Sequence, residues 1–325
     1  MLSLGIAEDD LFAVSTSHKI GIGELESAIA EYLADVAESA STEDDEDEIK
    51  IALIGRPNVG KSSILNALVG EDRVMVKDEA GTTRDATDTE LEFDDRYIRL
   101  IDTAGLRKPG KIGTYNIESW SVLRTEAAMQ RADICALVID PIEGVTQNDK
   151  HIISKALEWY KGVILVINKW DLAREKSDLA PAEHEKRFLA YLQKNFPFIP
   201  WAATVFCSAT ENNNVAEILE HAVGIDTERK KRVPTGKFNA FLEQMVYQHA
   251  PRGRRKSHNP RVYYGSQVED NPPKFVIFTN NPDHIHFSWK RYLENKIREF
   301  FGFYGTAIEV EYRGKKKSDN PYLEK

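Results

Sequence analysis

The sequence predicts a doubly wound α/β domain, its sheet mostly parallel with one antiparallel edge, followed by a smaller α+β domain. Three observations carry this. Short apolar runs alternate with helix-length amphipathic segments over residues 50–225. A glycine loop, Gly55-Arg56-Pro57-Asn58-Val59-Gly60-Lys61-Ser62, joins the first such run to the first helix. Beyond residue 229 both the periodicity and the charge change.

In chain order, apolar runs at 51–54, 97–101, 134–138, 163–167 and 205–207 read as strands, and segments 121–131, 149–159, 181–195 and 214–223 as helices. Asp94-Asp95 separates 87–93 from 97–101, so these two form a hairpin and supply the antiparallel edge. The second domain reads helix 238–249, strands 261–267 and 274–279 separated by Asn271-Pro272-Pro273, helix 287–301 and strand 307–312.

Glu43 to Glu48 is an unbroken run of six acids, which reads as a self-repelling linker over 39–49. Residues 14–25 match residues 207–218 at an offset of 193, each a strand end, a polar loop and an amphipathic helix. Residues 1–38 therefore read as the last strand and helix of another domain of the same kind. The partition is 1–38 remnant, 39–49 linker, 50–227 nucleotide-binding domain, 233–317 second domain and 318–325 tail.

The chain has 325 residues, 42% hydrophobic and 29% charged, the composition of an ordinary globular protein. No apolar run approaches the roughly 18 residues of a membrane span, and the N-terminus lacks the pattern of a signal peptide. Cys135 and Cys207 lie in apolar runs and read as buried free thiols, which points to a reducing compartment, the cytoplasm. Net charge is −9, but residues 229–325 hold 20 Lys+Arg against 10 Asp+Glu, and the remainder is strongly acidic. That asymmetry suits a C-terminal module meeting an anionic polymer.

The glycine loop has the Gly-x4-Gly-Lys-Ser spacing of a phosphate-binding loop between a strand and a helix, so the first domain reads as a P-loop NTPase. Gly55 and the backbone of Asn58, Val59, Gly60, Lys61, Ser62 and Ser63 are expected to cradle phosphates. The Lys61 ammonium should reach the β- and γ-phosphates, and the Ser62 hydroxyl should ligate Mg²⁺. Asp102-Thr103-Ala104-Gly105 ends the next strand, 41 residues after Lys61. Asp102 is placed to reach Mg²⁺ through water, and the Gly105 N–H to bind a γ-phosphate. In Gly81-Thr82-Thr83-Arg84-Asp85, a threonine hydroxyl completes the Mg²⁺ shell; Thr83 is preferred to Thr82. Asn168-Lys169-Trp170-Asp171 selects the base. A carboxylate at Asp171 accepts from guanine N1–H and its 2-amino group, whereas adenine would leave it unpaired at a cost of roughly 1–3 kcal/mol. The Lys169 stem covers the base, and Asn168 ties its loop to the phosphate loop. In Cys207-Ser208-Ala209-Thr210, the Ala209 N–H donates to guanine O6.

Together these motifs resemble the bacterial TrmE–Era–EngA group of GTPases, and within it the EngA (Der) family. Residues Gly55–Ser63, Gly81–Asp85, Asp102–Arg107, Asn168–Asp171 and Ser208–Ala209 are similar to that family's second GTPase domain. Residues 233–317 resemble its KH-like domain, notably Asn271-Pro272-Pro273 and Phe287–Asn295, and residues 1–38 the end of its first GTPase domain. The first domain's own phosphate loop, switches and base motif are missing from this sequence. Leu106 stands where Ras-like proteins carry a water-positioning glutamine, so turnover needs help. The resemblance implies a K⁺ ion, held by Asn58 and by carbonyls of Lys77–Ala80. Arg84 and Arg107 are further candidates for charge stabilisation. The basic stretch from Arg107 to Tyr115 reads as a switch that orders with the γ-phosphate.

In the C-terminal domain, Arg252, Arg254, Arg255, Lys256 and Arg261 cluster in one stretch, Lys290, Arg291, Lys296 and Arg298 on one helix, and Lys315–Lys317 near the end, with Tyr263, Tyr264, Trp289 and Tyr292 among them. They suit structured RNA or an inter-domain contact. Gly302-Phe303-Tyr304-Gly305 matches the KH Gly-x-x-Gly clamp by letter only and reads as a turn. His249, His258, His284 and His286 form no convincing ligand set. Two readings follow. The first is a monomeric GTPase, slow alone and K⁺-stimulated, acting with GTP/GDP and Mg²⁺ in assembly of the large ribosomal subunit. The second is a nucleotide-gated docking module on the ribosome with negligible turnover.

Overall fold

A computed structural model describes residue 15 and residues 48–76, 87–103, 117–251 and 260–314, with 117–122 as backbone only. The bodies of the 1–38 remnant and the acidic linker lie outside these residues. So do Thr82, Thr83, Arg84, Gly105, Leu106, Arg107, Lys77–Ala80, Arg252–Lys256, His258, Lys315–Lys317 and the 318–325 tail. The chain divides into two units between residues 48 and 49.

Within the second unit, β1 (Ile49–Ile54) leads through the glycine loop into α1 (Lys61–Val69). Then come β2 (Val74–Val76), β3 (Thr89–Phe93), β4 (Arg96–Ile101), α2 (Ile117–Arg131) and β5 (Ile134–Ile139). α3 (Gln147–Glu158), β6 (Gly162–Ile167), α4 (Trp170–Glu175), α5 (Pro181–Asn195), β7 (Ala203–Phe206) and α6 (Glu217–Arg229) complete the first sheet and its helices. The sheet runs β2-β3-β4-β1-β5-β6-β7. β4, β1, β5, β6 and β7 are mutually parallel, and β2, β3 and β4 form the antiparallel edge.

The physical basis is burial on both faces. All six residues of Ile-Cys-Ala-Leu-Val-Ile in β5 and of Gly-Val-Ile-Leu-Val-Ile in β6 are buried, as strands covered by helices on either side must be. Ile49, Ile51 and Leu53 pack with Ile64, Leu65 and Leu68 of α1 and with Ile218, Leu219, Ala222 and Ile225 of α6. Ala52 and Ile54 face the other way, with Met129 of α2, Ile153 of α3 and Leu192 of α5. Each such buried aliphatic side chain contributes about 1.5–3 kcal/mol. The expected hairpin is present, Thr89 opposite Leu100 and Phe93 opposite Arg96, and Asp94 and Asp95 turn it with φ of 48° and 60°. β2 was too short and too exposed to register as apolar periodicity. α6 begins three residues later than expected, because Asn212 and Asn214 hold left-handed φ and Ser208 pairs with Asn213.

The second domain contains α7 (Thr235–Gln248), β8 (Val262–Asp270), β9 (Pro273–Thr279), a 3-10 turn at Pro282–His284, α8 (Phe287–Phe301) and β10 (Glu309–Gly314). Its sheet runs β10-β9-β8, with β9 parallel to β10 and antiparallel to β8. Phe238, Phe241, Leu242 and Met245 of α7 share one core with Phe275, Ile277, Trp289, Leu293, Ile297 and Phe303.

Arg229, the last residue of α6, joins the domains. It is 2% exposed. Its guanidinium donates to the Tyr160 carbonyl (2.8 Å), Thr306 Oγ1 (3.1 Å) and Asn271 Oδ1 (3.0 Å). The Gly302–Gly305 turn is consumed by the same junction. Val163 N–H donates to the Gly305 carbonyl (2.7 Å), and Gly305 N–H to the Trp201 carbonyl (2.9 Å). Gly305 sits at φ +66°, where a Cβ would stand 2.3 Å from Ile225. Backbone groups so engaged are not free to clamp nucleic acid, which supports reading this stretch as a turn. Arg298, grouped by sequence with a basic surface, instead turns inward: its guanidinium lies 4.3 Å over the Trp201 ring and donates to the Phe303 and Thr306 carbonyls. Trp289 is likewise core, 1% exposed, with Nε1–H on the His249 carbonyl.

Candidate functional site

The loops at the C-terminal ends of β1, β4, β5, β6 and β7 carry the motif residues, as parallel α/β sheets require. Gly55 (φ +135°) passes β5 so closely that a Cβ would meet the Val138 carbonyl oxygen at 2.6 Å. Gly60, at φ +99°, is the N-cap of α1, and no side chain caps the helix. The first-turn N–H groups therefore face the loop, the arrangement that attracts phosphate. Ser62 and Ser63 are exposed in that turn, and Asn58 is exposed with φ 64°. Lys61 Nζ donates to the Gly55 and Arg56 carbonyls (2.8 and 2.6 Å), and burial brings its pKa down to about 8.

Asn168 performs the role expected of it. It is 2% exposed, its Nδ2 donates to the Val59 carbonyl (2.9 Å), and its Oδ1 accepts from the Ala209 N–H (3.1 Å). One amide thus fastens the phosphate loop, the base motif and the β7 loop. The Ala209 N–H assigned by sequence to guanine O6 is already engaged, so a base oxygen bound there would share that donor with Asn168. Lys169, at φ 59°, donates from Nζ to the Asn58 carbonyl and to Asp140 Oδ2, both at 2.8 Å. That stretches its stem between the two loops.

Asp171 lies at the start of α4 and lines a cavity of about 450 Å³ with Arg174, Glu175, Leu179, Pro181, His184 and Glu211. Its buried Oδ1 has no hydrogen-bond partner among the described residues. A buried unpaired carboxylate oxygen costs about 1–3 kcal/mol or more, so this atom fits a ligand that donates to it, as guanine N1–H does. Ser208 is buried and braces the β7 loop: its Oγ lies 3.1 Å from Thr210 Oγ1 and accepts from the Glu211 N–H.

Asp102 follows β4 with φ 56°, its carboxyl raised by burial, which the nearby Arg124 charge opposes. Its carboxylate and the Ser62 hydroxyl are hard oxygen donors, the type Mg²⁺ takes. Thr83 and Gly105 lie outside the described residues. The described residues include no cluster of three or more His, Cys, Asp or Glu side chains suited to a metal.

Three residues that motif reading passed over brace the site. Asp140, after β5, accepts from Lys169 and from the Ile142 N–H; burial pushes its carboxyl up, but these bonds outweigh it and hold the pKa low. Arg56, a variable letter of the loop pattern, donates to Glu143 (2.8 Å) and the Gly144 carbonyl (3.1 Å) and faces buried Asp149 at 3.4 Å. Asp88, before β3, accepts from the Asp102 N–H at 2.8 Å. Asp140 was the one with a signal, an acid at the end of a fully apolar strand, like Asp102.

The fold and these residues define a P-loop guanine-nucleotide-binding domain joined to a KH-like domain. Residues 50–169 match the family described as "50S ribosome-binding GTPase", and residues 232–313 match "KH-domain-like of EngA bacterial GTPase enzymes, C-terminal". GTPase Der of Thermomicrobium roseum is 43% identical over 309 residues, covering 95% of this chain and 66% of that protein. GTPase Der of Clostridium perfringens (strain SM101) is 42% identical over 315 residues, covering 97% and 69%. The chain belongs to the GTPase Der (EngA) family. It spans about two thirds of the length of these relatives. Among solved structures, Aquifex aeolicus Era bound to GDP·AlF4⁻ shares 20% identity with a TM-score of 0.41, over 83% of this chain and 93% of that one; a likeness so loose adds nothing to the family match.

Proposed function

We propose that this chain binds GTP and hydrolyses it to GDP and phosphate, as a switch in ribosome assembly whose KH-like domain engages rRNA of the large subunit. The observation that carries the base assignment is the buried, unpartnered Oδ1 of Asp171 beside the Asn168 lock. The matched family's description as ribosome-binding supports the partner, and the charge asymmetry supports an RNA surface. In this reading Gly55 and the Asn58–Ser63 backbone hold the phosphates, Lys61 neutralises the β- and γ-oxygens, and the Gly105 N–H senses the γ-phosphate. Asp171, Lys169 and Ala209 hold guanine. Ser62, Thr83 and Asp102 hold Mg²⁺, which supplies charge neutralisation during phosphoryl transfer. Asn58 holds K⁺, filling the catalytic gap left by Leu106. The protein acts as a cytoplasmic, ribosome-associated monomer, and the partition at 38, 49, 227 and 233 stands with this reading.

Single-turnover GTP hydrolysis in KCl against NaCl, with and without large subunits, tests it. Faster hydrolysis in KCl, lost in Asn58→Ala, is the expected result. Leu106 favours a second reading, a docking module with negligible turnover. GTP-dependent subunit binding without hydrolysis in either salt would establish that instead.

A further inference from the structure

Residues Thr87 to Thr89, at the start of β3, clamp the turn that carries Asp102. Thr103 Oγ1 donates to the Thr87 carbonyl (2.9 Å) and lies 2.7 Å from Thr89 Oγ1. The carboxylate of Asp88 takes the remaining contact, accepting the Asp102 N–H on Oδ1 at 2.8 Å. Its other oxygen accepts from Arg131 Nη2, at the C-terminal end of α2. The Asp88 side chain is 1% exposed, and that of Arg131 is 40% exposed. A carboxylate this buried is retained at a cost unless it is paired and hydrogen-bonded, and here both conditions are met.

The bond to Asp102 holds a backbone with left-handed φ of 56°, a sparsely populated region that aspartate tolerates better than most side chains. Residues 102 and 103 are thereby fixed from one side by three consecutive residues, Thr87, Asp88 and Thr89. Two of those contacts are neutral and reach Thr103. Among the described contacts, Asp88 is the one of the three that reaches Asp102, and it is paired with a residue of a helix.

We propose that Asp88 is a positioning residue for the metal site: it sets the backbone of Asp102, and so where the Asp102 carboxylate stands, with Arg131 as its counter-charge. The inference rests on the assignment of Asp102 to Mg²⁺ given above. Metal affinity is sensitive to such outer contacts, with typical losses of 10–100-fold when they are removed. Because Arg131 ends α2, the same pair couples the position of that helix to the metal site.

The test is the Mg²⁺ dependence of binding of a fluorescent, non-hydrolysable GTP analogue, a readout that does not require turnover. Asp88→Ala is expected to raise the Mg²⁺ concentration at half-maximal effect at least tenfold, with affinity in EDTA within twofold of wild type. Arg131→Gln, at a partly exposed position, keeps the test available should Asp88→Ala fail to fold, and is expected to raise the midpoint three- to tenfold. The double variant Asp88→Asn/Arg131→Gln restores a neutral acceptor and partner and should return to within threefold of wild type. Midpoints within twofold of wild type in the folded single variants would overturn the proposal. So would an equal loss of affinity in EDTA, the signature of a purely structural role. A wild-type protein whose binding ignores Mg²⁺ would instead remove the metal assignment itself.

Discussion

The Asn168 side chain bridges 109 residues of sequence to donate to the Val59 carbonyl at 2.9 Å, and it fills the space a Cβ on Gly60 would need, 2.1 Å from Nδ2. The phosphate loop and the base-selecting loop are therefore one mechanical unit. Asn168→Ala leaves the buried Val59 carbonyl and the Ala209 N–H without this partner. It should destabilise the domain by about 2 kcal/mol and weaken both GTP and GDP binding. Urea denaturation and nucleotide titration check this together, and a loss of stability with unchanged nucleotide affinity would contradict it.

In the proposed function Asp171 reads the base through an acceptor pair. Asp171→Asn converts one acceptor into a donor, which repels the guanine 2-amino group and suits the 2-oxo group of xanthine. GTP affinity should fall about 100-fold or more, roughly 2.7 kcal/mol, while XTP affinity rises. Competition between the two nucleotides on the wild type and the variant measures it, and an unchanged preference for GTP would exclude Asp171 as the reader.

Lys61 has opposite effects on binding and on stability as pH rises. Its pKa in the folded chain is about 8, lowered by burial from 10.5. Phosphate favours the ammonium, so GTP affinity is full below about pH 8 and falls roughly tenfold per unit above it. Between about 8 and 10.5 the unfolded chain keeps a proton that the folded one has released, so the nucleotide-free protein gains stability from this group as pH rises across that window. Titrations at pH 7 to 9.5 in constant salt check the first, and Lys61→Met should abolish the slope.

Arg229 holds the two domains together from a fully buried position. Arg229→Met removes three hydrogen bonds and leaves Asn271 Oδ1 and the Tyr160 carbonyl without this donor, at about 3 kcal/mol or more. The expected result is a lower urea midpoint, with KH-like-domain probes lost before nucleotide binding is. A single transition as steep as wild type would show that the junction does not depend on this residue.

Cys135 and Cys207 are buried, and burial pushes both thiols up to about 12. Neither should react with a thiol-specific reagent at pH 8 in the folded protein, and both should react in denaturant. Rapid labelling of the native chain would place one of them at the surface.

Much of the first domain was legible in the chain itself. Buried parallel strands such as β5 and β6 advertise themselves as unbroken apolar runs, and the motif residues recur at their ends because that is where a parallel sheet opens to a ligand. Gly55, Lys61, Asn168 and Asp171 could be assigned roles because each chemistry admits few residue types at that spacing. The short exposed strand β2 and the one-and-a-half-turn helix α4 could not be read, since neither is long enough to show a period.

Three things were decided only by tertiary structure. Asp88 and Arg131 are ordinary charged letters until folding brings them beside Asp102. Arg298 reads as part of a basic surface, yet it stacks on Trp201. Gly302 to Gly305 carried the letters of a clamp and became the seam between two domains. The physical reason is the same in each case. Motifs record local backbone and ligand chemistry, which the chain carries along its length, whereas a charge or a ring takes its role from neighbours brought from other elements, 14 positions away for Asp88 and Asp102 and 43 for Asp88 and Arg131, and only packing chooses those.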